Sequence, residues 1–262
     1  MENDLIFSVS EGVATLKMNR PQSLNAFTTE SLEKLCEAID ECERRQDVLA
    51  VVLTGSGKSF CSGADISLVG DNTDNRPHTT KQFIWDTIQR FPKRLSSFEK
   101  PIIAAINGVA AGGGMDLALA CDIRVASENA RFTESYVKLG LLPGGGGAWF
   151  LPRIIGDSMA MELLLSGDII DATCALRVGL VNHVWSSEKF EEKTLALAKR
   201  IAQNPPLSVK LIKRAVRQGS RTDMLSAFDL ISSHIAITKS GPDHEEALAA
   251  YKNNRKGRYE GF

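Results

Sequence analysis

Three short segments govern what this chain can fold into: Ala50–Thr54 (AVVLT), Pro101–Ile106 (PIIAAI) and Ile123–Ala126 (IRVA). The first is continuously apolar up to its last residue, the signature of a strand buried on both faces, as in parallel sheets. The other two read as further strands. Long stretches separate the three, with helical patterns between them, so the chain is α/β with separated crossovers. Val13–Asn19 adds another strand, with Ala14, Leu16 and Met18 on one side and Val13, Thr15 and Lys17 on the other.

The helices follow from spacing. Thr28 or Thr29 can cap a helix that presents Leu32, Leu35, Cys36 and Ile39 on one face. The polar stretch Gly70–Thr80 reads as a mobile loop, followed by a helix over about Thr80–Leu95. Met115–Cys121 reads as a short helix. Asn204-Pro-Pro206 divides a core, residues 1–203, from a helical region, residues 204–262. That region carries helices near Leu207–Gln218, Met224–Lys239 and His244–Asn253, suited to packing on the core or on another subunit. Lys210, Lys213, Arg214 and Arg217 read as the wet face of the first of these helices.

Composition narrows the function classes. A net charge of -1 argues against a general nucleic-acid binder. The five cysteines are scattered and form no C-x-x-C, which predicts a reducing, cytoplasmic setting. The four histidines have no metal-ligand spacing, so no metal site is expected. The start, MENDLIF, lacks an apolar signal core, and Pro101–Ala111 is too short to span a bilayer. No membrane partner is expected.

Two glycine-rich stretches invite a chemical reading. Thr54–Ile66, TGSGKSFCSGADI, contains a GSGKS that resembles a phosphate loop. The spacing fails: G-x-x-x-x-G-K-[ST] would require glycine at Val52, inside the apolar run. Gly-Ser-Gly-Lys therefore reads as a turn after a strand. Gly112-Gly-Gly114 lies between an apolar strand and a short helix. Bare glycines there either serve a tight turn or let a ligand approach main-chain N–H groups. The dinucleotide pattern G-x-G-x-x-G is absent.

Taken together, these motifs resemble the crotonase, or enoyl-CoA hydratase/isomerase, superfamily. They are NRPQSLNAF (19–27), SGADI, PIIAAINGVAAGGGMDLALACDIRVAS, ARFTESYVKLGLLPGGGGAWFLPR (130–153) and Asn254-Arg-Lys256. The resemblance covers nearly the whole chain. It implies a spiral of repeated ββα units, with C-terminal helices that assemble homotrimers or dimers of trimers. It also implies an acyl-CoA thioester substrate and no cofactor, coenzyme A being part of the substrate.

The resemblance places an oxyanion hole at the backbone N–H groups of Ala64 and Gly113. It places acyl-CoA contacts at Leu24, Ala26, Ala64, Asp65, Ile66, Ser67 and Gly112. Hydratases of the family use two glutamates. At the first position this chain has Asp116; at the second it has Tyr136, a poor general base near neutrality with an ordinary pKa of about 10. Glu134 is a candidate substitute. It points with Tyr136 if residues 132–136 are extended, and away if a helix has begun. The third carboxylate of some isomerases is missing, because Gly144-Gly-Gly-Gly147 stands there. Trp149 reads as core or pocket wall.

The implied activity is hydration of a 2-enoyl-CoA or a double-bond shift through a stabilised thioester enolate. The alternatives on one scaffold are a thioester hydrolase, a C–C lyase, or a weakly catalytic CoA- or RNA-binding protein.

Overall fold

A computed structural model describes residues 4–70 and 76–261. In chain order its elements begin with β1 (Leu5–Ser10), β2 (Val13–Met18), α1 (Thr29–Arg44), β3 (Ala50–Gly55) and β4 (Ser59–Cys61). Then come α2 (Ile66–Gly70), α3 (Pro77–Phe83), a π-helical segment (Ile84–Ile88) and α4 (Arg90–Ser97). The middle holds β5 (Ile102–Ile106), β6 (Val109–Ala111), α5 (Gly113–Leu119), β7 (Ile123–Ser127) and β8 (Arg131–Thr133). A 3-10 turn (Ser135–Leu139) leads to α6 (Gly147–Ile155), α7 (Asp157–Ser166), β9 (Ile170–Asp171), α8 (Ala172–Arg177) and β10 (His183–Trp185). The chain closes with α9 (Ser187–Ala202), α10 (Pro206–Gly219), α11 (Met224–Lys239) and α12 (Pro242–Lys252).

The three apolar runs form the centre of a six-stranded sheet, ordered β1-β2-β3-β5-β7-β10. Only β1 and β2 pair antiparallel; the rest are parallel. A second sheet, β4-β6-β8-β9, receives the chain after β3, β5 and β7 in turn. Each pair of strands thus crosses from one sheet to the other before a helix returns, which makes the turn of a ββα spiral.

Val13 is buried although its neighbours on that side, Thr15 and Lys17, are half-exposed. The reason is α9, which lays Phe190, Ala198 and Ala202 over Val13, Val52, Ala105 and Val125. The opposite face of the sheet holds the main core, including the fully buried rings of Phe60, Phe91, Phe98 and Phe132.

Local chemistry sets the boundaries of α1. Thr28 is its cap: its hydroxyl accepts from the Ser31 N–H at 3.2 Å, and the Ser31 hydroxyl accepts from the Thr28 N–H at 2.8 Å. Leu32, Leu35, Cys36 and Ile39 are buried, and Cys42 continues the same face. The Gly-Ser-Gly-Lys stretch turns the chain between β3 and β4, with Gly57 at φ 70. Of the expected loop 70–80, residues 71–75 lie outside the described residues, and a helix already begins at Pro77. Proline at the first helical position needs no N–H partner, which explains the early start.

Two other expectations are corrected. Lys213 and Arg217 do not form a wet face. Lys213 is nearly buried, and both reach Asp122 at 2.7 Å. Trp149 is not core. It is 44% exposed, with the guanidinium of Arg153 4.1 Å from its ring centre and that of Arg221 5.7 Å away.

Candidate functional site

The segment 19–27 is shaped by one buried side chain. Asn25 adopts φ 57, and Leu24 before it φ 53. Asparagine tolerates this left-handed region because its short amide bonds locally. Here the Asn25 Oδ1 accepts from the Arg20 N–H at 2.9 Å, and its Nδ2 donates to Ser56 O at 2.9 Å and Ser59 O at 2.7 Å. The loop is thereby pinned to the turn after β3.

From that loop Phe27 forms a parallel bridge to Ala64. The Phe27 N–H donates to Gly63 O, and the Asp65 N–H to Phe27 O, each at 2.9 Å. In this pattern the N–H of Ala64 is directed away from Phe27. On its other side lies the glycine loop. A Cβ placed on Gly63 would sit 3.0 Å from Ala111 O and 3.4 Å from Gly113 N. Ala64 and Gly113 are therefore on adjoining backbones, and among the described residues neither amide finds an acceptor. Gly112, at φ 49, makes the turn into α5. Gly113 has no room for a side chain, since a Cβ there would lie 2.6 Å from the Phe27 ring and 3.4 Å from the Tyr136 hydroxyl.

The residues expected to contact acyl-CoA line one stretch. The Ser62 N–H donates to Leu24 O at 3.1 Å. Asp65 caps Ser67, accepting from its N–H at 3.2 Å and its hydroxyl at 3.0 Å. Ala26 is buried, whereas Leu24 is 46% and Ile66 85% exposed. Sequence reasoning missed Arg20, which ties the two halves together. Its guanidinium donates to Ala26 O at 2.5 Å and to Asp65 Oδ2 at 3.1 Å. Its place inside the 19–27 motif was the available signal.

The three candidates for proton transfer come together. β8 ends at Thr133, Glu134 takes φ -101 and ψ 62, and the 3-10 turn begins at Ser135. Neither the extended nor the helical expectation describes this backbone, yet Glu134 and Tyr136 both end against Asp116. Glu134 is 1% exposed and Asp116 2%, so neither faces solvent. The Tyr136 hydroxyl donates to Asp116 Oδ2 at 2.6 Å, and the Gly145 N–H donates to the same oxygen at 3.0 Å.

Three carboxylate oxygens, Asp116 Oδ1 and both of Glu134, have no hydrogen-bond partner. Sequence reasoning also missed what makes room for them. A Cβ on Gly147 would lie 2.7 Å from both Asp116 Oδ1 and Glu134 Oε1, and one on Gly145 2.7 Å from Asp116 Oδ2. The run 144–147 lacks an acid, and its bareness is what lets the two carboxyl groups meet.

Burial sets the electrostatics. It raises the Asp116 carboxyl to about 6, and the hydrogen bonds from Tyr136 and Gly145, with the nearby Gly147 amide, hold it from going higher. Burial, then the charge of Asp116, pushes Glu134 well above the ordinary carboxylate range. Both shifts point up, so the pair holds one shared proton, and the hydrogen bonds from Tyr136 and Gly145 favour the ionised form on Asp116. Tyr136 is pushed far up, by burial first and then by Asp116, and stays a hydroxyl donor. Among the described residues no three His, Cys, Asp or Glu side chains cluster as a metal site requires. No helix there is long and apolar enough to cross a membrane.

Comparison with known proteins gives the family. The family model described as enoyl-CoA hydratase/isomerase matches residues 8–261. A short-chain-enoyl-CoA hydratase of Clostridium acetobutylicum is 40% identical over 99% of this chain and 98% of its own. A 1,2-epoxyphenylacetyl-CoA isomerase of Escherichia coli is 33% identical over 98% of each chain. The solved enoyl-CoA hydratase of Bacillus anthracis superposes with a TM-score of 0.93 at 31% identity, covering 99% of this chain and 100% of that one. The fold is the crotonase fold, and the chain belongs to the enoyl-CoA hydratase/isomerase family of enzymes.

Proposed function

We propose that this enzyme adds water to a 2-enoyl-CoA thioester. One observation carries the choice within the family: Asp116 and Glu134 face each other, buried, over Gly147, with three oxygens unpartnered. Hydration calls for a water held between two carboxyl groups of opposite protonation, and these two supply it. Buried polar atoms without partners are the places where a bound water or ligand group is expected.

In this reading the thioester carbonyl oxygen lies between the Ala64 and Gly113 N–H groups. Each such donor is worth about 3–4 kcal/mol in well-studied enzymes. The water oxygen forms its bond to C3, and the C2–C3 π pair shifts toward the carbonyl as an enolate. Asp116 takes the water proton. Glu134 gives its proton to C2, and the enolate collapses to the 3-hydroxyacyl thioester. A proton then passes from Asp116 back to Glu134 across Gly147, restoring the starting state. Leu24, Ala26, Asp65, Ile66, Ser67 and Gly112 would line the coenzyme A portion, with Arg20 fixing their spacing. Coenzyme A arrives with the substrate, and no separate cofactor enters the scheme.

The helical region 204–262 serves assembly in the same reading. α11 buries only His234 among its described residues, and it exposes Met224, Leu225, Phe228, Ile231 and Ile235. A homotrimer, or a dimer of trimers, would cover this face. The free thiols, four of the five buried, suit a cytoplasmic setting.

The test is a panel of 2-enoyl- and 3-enoyl-CoA thioesters analysed by product mass. Gain of one water supports hydration. Unchanged mass with a shifted spectrum makes the enzyme an isomerase and removes the hydratase reading. Release of free CoA thiol makes it a hydrolase.

A further inference from the structure

We infer that Tyr136 is a positioning residue for Asp116: its hydroxyl holds Oδ2 permanently, so that Oδ1 alone exchanges protons. The inference rests on the reading of Asp116 as the proton-accepting group. It starts from a phenol hydroxyl 2.6 Å from an oxygen of a buried carboxylate.

Geometry separates this role from direct catalysis. The Tyr136 ring packs on the glycine loop, 3.7 Å from where a Cβ of Gly112 would stand. Its hydroxyl lies beside Gly113 and 2.6 Å from Asp116 Oδ2. The Gly145 N–H occupies the second position on that same oxygen at 3.0 Å. Asp116 Oδ2 thus accepts two hydrogen bonds, whereas Oδ1 has none and faces Glu134. A carboxylate held through one oxygen can rotate little, and its free lone pairs point one way.

The donated hydrogen bond favours the ionised form of Asp116 and opposes the upward push of burial. The phenol itself does not titrate in the working range, because burial and the neighbouring charge keep it protonated. A third carboxyl group, at position 136, would add like charge beside Asp116 in a buried site. A phenol fixes the base without adding charge.

Three measurements on the full-length enzyme test this. Tyr136→Phe should leave KM for the acyl-CoA nearly unchanged and lower kcat/KM about tenfold, the worth of one charge-assisted hydrogen bond. Its acid limb, near pH 6 in the parent, should move up by about one unit as the stabilising donor is lost. Carbon-13 carboxyl titration of Asp116 should move by the same amount, and this readout does not depend on activity.

In an Asp116→Asn background, Tyr136→Phe should cost nothing further. An unmoved acid limb and an unmoved titration overturn the inference. So does a Tyr136→Phe loss that persists undiminished on Asp116→Asn, which would make the phenol a direct participant. If Asp116→Asn retains full turnover, the base assignment fails instead, and the carboxyl titration still decides whether Tyr136 holds Asp116. Should Tyr136→Phe not fold, biosynthetic 3-fluorotyrosine gives the reverse probe: a stronger donor should move the acid limb down. The other two tyrosines, Tyr251 and Tyr259, lie in α12 and the tail beyond it.

Discussion

Asp116 and Glu134 approach each other from different elements, α5 and the end of β8, and meet over a residue with no side chain. That both are almost fully buried has a consequence for the whole fold. The native carboxyl of Asp116 titrates at about 6 against an ordinary value of 3.8, and Glu134 is raised further still. Between those values the folded protein binds more protons than the unfolded chain. Stability held below pH 4 is therefore lost as pH rises toward 6 and beyond. For Asp116 alone the loss is on the order of 3 kcal/mol. Asp116→Asn, which keeps the shape, should match the parent in urea denaturation at acid pH and exceed it at pH 8. Equal stability at both pH values would mean that Asp116 is not buried as an ionised group.

Gly147 controls the gap between the two carboxyl groups. A methyl at this position would come 2.7 Å from an oxygen on each. Gly147→Ala must push them apart or displace whatever lies between them, at about 1–3 kcal/mol of stability. We expect kcat to fall at least about a hundredfold while KM for the CoA thioester changes little, because proton transfer depends on positions held within about 0.5 Å. A variant with kcat within about twofold of the parent would show that the gap over Gly147 is not used.

Much of this was legible in the chain, and the parts that were not share a cause. β3 and β5 announced themselves by apolar runs, and α1 by its cap and spacing. The strands β4, β6 and β8 are three residues each and have no periodicity to read. Yet they are the strands that carry the candidate site. Glu134 could not be placed because its backbone is neither strand nor helix, so no period applied to it. The GGGG run was visible, but its meaning lay in what approaches it from α5, which only the folded chain reveals. Lys213 and Arg217 followed the helical period of a wet face. Their target, Asp122, sits in a turn distant in sequence, so periodicity misassigned them.

Arg20 has a role that can be isolated from the chemistry. It spans Ala26 O and Asp65 Oδ2, joining the two segments proposed to hold coenzyme A. Arg20→Met keeps much of the stem but removes both hydrogen bonds. The expected result is a KM for acyl-CoA raised about tenfold with kcat reduced less than about threefold, the pattern of lost uniform binding. Lys at this position should rescue only in part, since one ammonium cannot reproduce the two-pronged contact. A kcat defect without a KM change would place Arg20 in the chemical step and contradict the binding role.

At the far side of β5 and β7, Asp122 anchors α10 to the core. One of its oxygens receives the Ile102 N–H at 2.9 Å and Lys213 at 2.7 Å; the other receives Arg217 at 2.7 Å. Asp122→Ala would leave Lys213, whose side chain is only 8% exposed, as a buried cation without its carboxylate partner, with the Lys100 carbonyl still accepting from it at 2.6 Å. Removing one member of a buried pair typically costs about 3–5 kcal/mol. Burial already lowers the Lys213 ammonium to about 8, and losing Asp122 lowers it further. The unfolded chain then binds more protons than the folded one, so the deficit of Asp122→Ala should shrink as pH rises from 7 toward 10. The double variant Asp122→Ala, Lys213→Met should recover part of the lost stability at pH 7. Urea denaturation across that pH range reads both effects. A deficit that does not change with pH, and is not relieved by Lys213→Met, would mean that the cost comes from the Ile102 and Arg217 contacts, not from a stranded lysine.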